Sequence, residues 1–207
     1  MSRASSTLRS PDPVRDYTGF PAYRHRARVC RYRAHGLHGP WYFSNSVGRF
    51  NLQAPRGTLN TASSQEVAVR EFLGVAFVGD PAIPASMVSE RWISQLEIPG
   101  ITAADFTAGA ASAYGIVAGD ITAPMDDGYL MTRAWAAAME AAGFEGIQSR
   151  SRFGAGSNPT CLYVFGPAGE QEMGSTNEKV TMRSVIETMP GYTIDGLPTS
   201  DVLVVDP

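Results

Sequence analysis

The stretch "GRFNLQAPRGTLNTASSQEVAVREFLG", residues 48–74, decides how this chain is read. "GTLNTA" (57–62) reads as a short strand, and "SSQEVAVREFLG" spaces its apolar residues as a helix does. Ser63 and Glu66 have the spacing of a capping box, and Gly74 can end the helix. A strand therefore feeds directly into a helix. On that helix Glu71 falls between Val67 and Ala68, with Phe72 beyond Ala68, so a carboxylate stands in an apolar sector. Such a group is costly unless paired, and acids of this kind collect at functional sites. The first half sets Arg49 between Gly48 and Phe50. Glycine permits close backbone approach, the aromatic ring favours burial, and a guanidinium seeks an anion.

Working outward, residues 1–20 are polar and contain Pro11 and Pro13, which predicts a loose, flexible arm. "RVCRYRAH" (28–35) can alternate as a strand, with Val29, Arg31 and Arg33 on one face and Cys30 and Tyr32 on the other. "GPWYFSNSVGRFNLQAPRG" suggests a structured loop beside a cleft. "RWISQLEIP" reads as a strand closed by Pro99, and "ITAADFTAGAASAYG" as a helix weakened by glycine. A longer helix is predicted in "DDGYLMTRAWAAAMEAAG", capped by Asp126 or Asp127 and ended by Gly143. "GIQSRSRF" and "TCLYVFG" read as a hairpin. From about residue 168 the chain turns polar, a C-terminal extension whose "DVLVVDP" can dock as an edge strand. One domain over 21–207 is expected, of the α+β class, since strands and helices mix without regular βαβ spacing.

Composition narrows the function. The 207 residues suffice to bury a core without staples, and 43% hydrophobic with 18% charged content is that of a globular protein. A net charge of −3 speaks against coating nucleic acid. No apolar run is long enough to cross a membrane, and the N-terminus lacks the apolar core of a secretory signal. Cys30 and Cys161, far apart and without a CxxC, indicate a reducing compartment, so a cytoplasmic location is expected.

Other chemistry is sparse. "YRHRARVCRYR" packs five arginines between residues 24 and 33. They suit a pyrophosphate if aimed together, a nucleic-acid or other anionic partner if spread over a surface, and solvent otherwise. In "SRSRF", alternation sets Ser149, Ser151 and Phe153 opposite Arg150 and Arg152, so Ser151 can orient a ligand hydroxyl or the Glu71 carboxylate. Three scattered histidines give no metal site, and neither a GxSxG elbow nor a P-loop occurs.

Together these segments resemble the RES domain, the toxin half of bacterial toxin–antitoxin systems, over roughly residues 28–166. "YRAH" places the first arginine at Arg33, with Arg31 the neighbouring alternative. The 48–74 stretch places Arg49 and Glu71, and "GIQSRSRF…CLYVFG" places Ser151. The chain departs from the family at Asn60 and Ser149, where members often carry tyrosine. Tyr32, Trp41, Tyr42 and Phe50 are the candidates to supply a missing stacking ring. The resemblance implies an ADP-ribosyltransferase-like fold, two small mixed or antiparallel sheets with flanking helices around an NAD cleft. Glu71, Arg33 and Ser151 would be catalytic, and Arg49, Arg31, Tyr32 and Asn60 would bind NAD. NAD would be substrate, with no cofactor and no metal. It also implies an Xre-type helix-turn-helix antitoxin as partner, leaving homo- and hetero-oligomers open. The activity implied is NAD cleavage at the nicotinamide–ribose bond by water or phosphate. Transfer of ADP-ribose to a protein is the alternative, and an inactive RES-like or anion-binding protein the next.

One acid is enough for that reaction. Ordinary glycosidases need two carboxylates because the leaving alkoxide must be protonated. Nicotinamide in NAD is already cationic and departs neutral. A lone carboxylate facing the developing positive charge, with arginines holding the pyrophosphate, meets the requirement.

Overall fold

The computed structural model describes residues 8–74, 81–123, 125, 128–154, 156 and 158–196. In chain order its elements are β1 (Ala22–His25), β2 (Cys30–His35), β3 (Tyr42–Phe43), β4 (Arg56–Ala62), α1 (Gln65–Leu73), β5 (Ala82–Pro84), α2 (Ala85–Val88), β6 (Trp92–Glu97) and β7 (Ile101–Asp105). A 3₁₀ turn at Gly109–Tyr114 precedes α3 (Ala118–Thr122), α4 (Leu130–Ala141), β8 (Gly146–Arg150), β9 (Thr160–Pro167), β10 (Gly169–Glu170), β11 (Ser175–Thr181), α5 (Met182–Ile186) and β12 (Thr193–Asp195).

Where two small sheets were expected, strand pairing makes one mixed eight-stranded sheet in the order β1-β7-β8-β9-β4-β2-β6-β11, beside two short two-stranded ladders. Only β7 and β8 run parallel within it. The junction between β4 and β2 is a single register pair, Tyr32 with Ala62, whereas β4 and β9 pair continuously from Arg56–Pro167 to Ala62–Cys161. Chain connectivity requires the sheet to curl. β1 and β2 stand five places apart in the sheet, yet only residues 26–29 join them. In a flat sheet five spacings are about 24 Å, and five extended residues reach about 18 Å at most. Residues 98–100 make the same short bridge between β6 and β7, again five places apart.

The curl divides the core. Its inner face packs Trp41, Phe43, Leu59, Leu96, Ile98, Leu162 and Val164. The outer face carries α1 and α4 over a larger cluster that includes Val67, Val69, Trp135, Met139, Ile147 and Tyr163. The arm predicted to be loose is seated in that cluster over its described part: Leu8, Tyr17 and Phe20 are buried. Tyr17 packs edge-on to Trp135 with centroids 5.3 Å apart, and Trp135 Nε1 donates to Arg9 O at 2.8 Å. Three apolar side chains in a polar stretch supply the burial that composition alone conceals.

Residues 101–105 are strand, not the predicted helix, because β1 and β8 flank them and small, part β-branched residues fit a central strand. Helix α1 starts one residue later than the capping box implied. Ser64 Oγ, not that of Ser63, accepts from Val67 N at 3.2 Å, while Glu66 takes Arg70 Nη2 at 2.8 Å. Gly74 ends the helix at φ 63°, as its position suggested. Helix α4 ends toward Gly143, at φ 90°; its proposed caps Asp126 and Asp127 lie outside the described residues, as does "DVLVVDP". The hairpin of β8 and β9 forms as expected. Beyond residue 168, β11 extends the sheet along β6 and β12 pairs with β5. Among the described residues no helix is long and apolar enough to cross a membrane.

Two predictions follow from this packing. Ser64→Ala should cost about 1 kcal/mol of unfolding free energy, read from the urea midpoint, since it removes the cap of α1. His25 and His35 are buried, and burial pushes both imidazoles below their ordinary 6.5, with Arg31 adding to the effect on His25. The unfolded chain then takes up protons first, so this stability is full above pH 6.5 and is lost as pH falls through the lowered folded values. The urea midpoint should fall between about pH 7 and about pH 5, and His25→Phe should remove part of the slope. A midpoint indifferent to pH over that range would refute the second.

Candidate active site

The splay between β2 and β4 opens the site. Beyond the Tyr32–Ala62 pair the strands separate, and Arg33 and Ala34 face Thr61 and Asn60 across a cavity of about 410 Å³. Helix α1 contributes Glu71 and Phe72, the 48–49 turn Gly48 and Arg49, and β9 lines it with Cys161 and Tyr163. The volume lies in the range of small-molecule sites.

Glu71 is held from the opposite side by the turn after β8. Its Oε1 accepts the Ser151 hydroxyl, Arg152 N at 2.9 Å and Phe153 N at 3.3 Å. Ser151 Oγ in turn accepts from Gly154 N at 2.7 Å. Three donors on one oxygen fix the carboxylate rigidly, and Oε2 has no hydrogen-bond partner among the described residues. Ser151 itself is buried and reaches the cavity only through Glu71.

The three arginines have different surroundings. Arg49 lines the cavity, donates from Nη2 to Ala123 O at 3.3 Å and lies 5.2 Å from the Tyr129 ring centroid. Its Nη1 is buried without a hydrogen-bond partner among the described residues. Arg33 also lines the cavity, but its Nη1 donates to Tyr42 O at 2.6 Å. Burial draws its guanidinium down to about 10, with Glu170 opposing, so it stays charged at neutral pH. Arg31, expected to touch the ligand, lies outside the cavity. It is 4% exposed, and Nη1 and Nη2 reach Thr160 Oγ1 at 3.5 Å and Thr160 O at 3.3 Å. Its register partner is Leu96 of the inner cluster, and although Arg31 shares a strand face with Arg33, its guanidinium is taken up by Thr160 at the base of the β8–β9 hairpin.

Tyr32 and Asn60 line the cavity; Tyr32 accepts Gln95 Nε2 at 3.3 Å through its phenol oxygen. The other candidate rings are elsewhere. Trp41 is buried in the inner cluster, Tyr42 stacks on His38 at 3.8 Å, and Phe50 is buried with its ring 4.9 Å from Tyr163. Sequence reasoning missed Phe72, Tyr129, Phe153 and Tyr163 as the rings that do line the site. Tyr163 left a signal in its alternation with Cys161 in "TCLYVFG", and Phe72 and Phe153 in their places near Glu71 on the helix and on the Ser151 face of the strand. Burial raises the Tyr163 phenol and Cys161 thiol well above their ordinary values, with nearby Glu71 adding to both. Both keep their protons at neutral pH, so Cys161 is no thiolate nucleophile. Among the described residues no group of three His, Cys, Asp or Glu could hold a metal ion.

The family model of the RES domain matches residues 21–182 of the chain. No curated protein matches it. Among solved structures, a chain of the M. tuberculosis MbcT–MbcA toxin–antitoxin complex shares the fold at a TM-score of 0.56. The alignment is 18% identical and covers 78% of this chain and 90% of that one.

Ser151→Ala strips a donor from Glu71 and an acceptor from Gly154. It should lower unfolding free energy by about 1–3 kcal/mol, measured by urea denaturation. A loss of a few tenths would mean that the turn is held by other contacts.

Proposed function

The chain belongs to the RES domain family, and on that premise we propose that it is an NAD-cleaving toxin, silenced by a helix-turn-helix antitoxin. The observation that carries the reading is that Glu71, clamped through Oε1, and Arg49, with a buried Nη1 lacking a partner among the described residues, line one cavity. An immobile carboxylate and a guanidinium in one ring-lined cleft suit a cationic heteroaryl ribose joined to a pyrophosphate. The cleft between splayed strands also supports kinship with ADP-ribosyltransferases.

In this reading Arg49 and Arg33 hold the pyrophosphate, and Glu71 Oε2 faces the ribose carbon bonded to nicotinamide. That carbon–nitrogen bond breaks with its electron pair going to the ring nitrogen, so nicotinamide leaves neutral. Water adds to the ribose carbon and releases a proton, giving ADP-ribose. The Oε1 clamp stops the carboxylate from turning away as positive charge grows beside it. Exposed Val47 and Phe72 on the lining of the cavity offer an apolar rim on which an antitoxin can settle.

Purified protein should release nicotinamide from NAD, followed by chromatography. Glu71→Gln, of nearly the same shape, should lower kcat by about 10²–10³-fold. Arg49→Ala should chiefly raise KM. Equal release by wild type and Glu71→Gln would remove the carboxylate from the reaction. Adding phosphate and assaying for ADP-ribose 1-phosphate identifies the acceptor.

A further inference from the structure

Asn60 occupies the splay between β4 and β2, exposed toward the cavity, and its amide has a defined orientation. The orientation is set from a backbone carbonyl. Asn51 is 2% exposed, and its Nδ2 lies 3.2 Å from Ser46 O and 3.3 Å from Ser44 Oγ. A backbone carbonyl only accepts, so this atom must be the Asn51 nitrogen and the other must be its oxygen. That oxygen, 3.2 Å from the Asn60 side chain, accepts from Asn60 Nδ2. Asn60 therefore has its donor turned inward, and Oδ1 has no hydrogen-bond partner among the described residues. Gly48 keeps the relay intact, since a Cβ there would stand 2.8 Å from Asn51 Nδ2.

The surroundings of this acceptor are flat and aromatic. Tyr163 is its register partner on β9, and Tyr32 is paired with Ala62, two residues along β4 on the same face. Glu71 lines the same cavity, and Tyr163, the β9 partner of Asn60, lies within reach of both the Glu71 and the Arg49 charge. The acceptor thus opens into the cavity that the carboxylate lines, where the ring to be released would lie.

We propose that Asn60 determines specificity, its side-chain oxygen accepting a hydrogen bond from the carboxamide N–H of the departing ring and rejecting a dinucleotide that bears a carboxylate there. The inference rests on the NAD-cleaving reading and names which form of the substrate the site takes. A neutral amide donates to Oδ1, whereas a carboxylate in its place meets that oxygen with like partial charge and no proton.

The test compares NAD with nicotinic acid adenine dinucleotide in wild type, Asn60→Leu and Asn60→Asp, all as the full chain. Position 60 is exposed, so both variants should fold, checked by thermal melting. Wild type should favour NAD in kcat/KM. Asn60→Leu, lacking any acceptor, should lose about tenfold or more of that preference, while Asn60→Asp, which loses the donor to Asn51 Oδ1 but still presents an acceptor oxygen and a negative charge, should still reject the carboxylate-bearing dinucleotide. An unchanged preference in Asn60→Leu overturns the proposal, as does an equal rise in KM for both dinucleotides, which would assign the bond to a ribose hydroxyl. If wild type releases a ring from neither compound, the NAD-cleaving reading fails, and calorimetry on the same proteins decides for Asn60. Tighter NAD binding that Asn60→Leu abolishes supports it, and absent or indiscriminate binding overturns it.

Discussion

One register pair, Tyr32 with Ala62, holds the two halves of the sheet together, and the site exists because there is only one. The connections at 26–29 and 98–100 are too short for a flat sheet, so the strands bend round an inner core. Bending concentrates at the weakest ladder, and β4 parts from β2 there. Backbone and side chains of Arg33, Ala34, Asn60 and Thr61, which continuous pairing would close over, become the walls of a cavity. The chain meets its own connectivity and opens the cavity by the same distortion. More pairs between these strands would strengthen the sheet and fill the cleft.

The cleft then has to hold a charge in place. Glu71 comes from helix α1, carried on β4, and its partners come from the turn after β8, so the carboxylate is gripped from two elements that meet only in the folded state. Arg31 serves that grip from beneath. It is buried without a carboxylate among its hydrogen-bond partners, an arrangement that is expensive in a protein interior, and both its described bonds end on Thr160. Thr160 opens β9 and pairs with Arg150, next to Ser151. The arginine thereby braces the hairpin whose turn holds Glu71.

Local periodicity made part of this legible. The change from strand to helix across 57–74, Glu71 within an apolar sector, and a serine placed to meet it are all short-range patterns, and the structure brings Glu71 and Ser151 together. The cap moved by one residue because Ser63 is occupied across the sheet, its Oγ accepting from Thr160 N at 3.2 Å. What the sequence concealed was set by distant partners. Alternation grouped Arg31 with Arg33, but only Arg33 lines the cavity, because Thr160, remote in sequence, takes the guanidinium of Arg31. The 101–105 strand and the insertion of Tyr17 and Phe20 depend on neighbours remote in sequence. The lining rings were missed for the same reason: Tyr163 comes beside Asn60 only through the β4–β9 ladder.

That ladder also bears on the departure at residue 60. A tyrosine is absent from β4, yet the cross-strand position holds one, buttressed edge-on by Phe50, which itself takes a φ of 60° to reach the core. A ring face therefore lines the same patch of cavity from the adjacent strand, about one strand spacing away. The residue freed from stacking is an amide, tied by Asn51 into a fixed attitude. Hydrophobic contact and hydrogen bonding, which a single tyrosine would have to combine, are divided between two paired strands. An exposed amide on a rigid relay would lose little entropy on binding a ligand, which would favour recognition by orientation over recognition by adaptation.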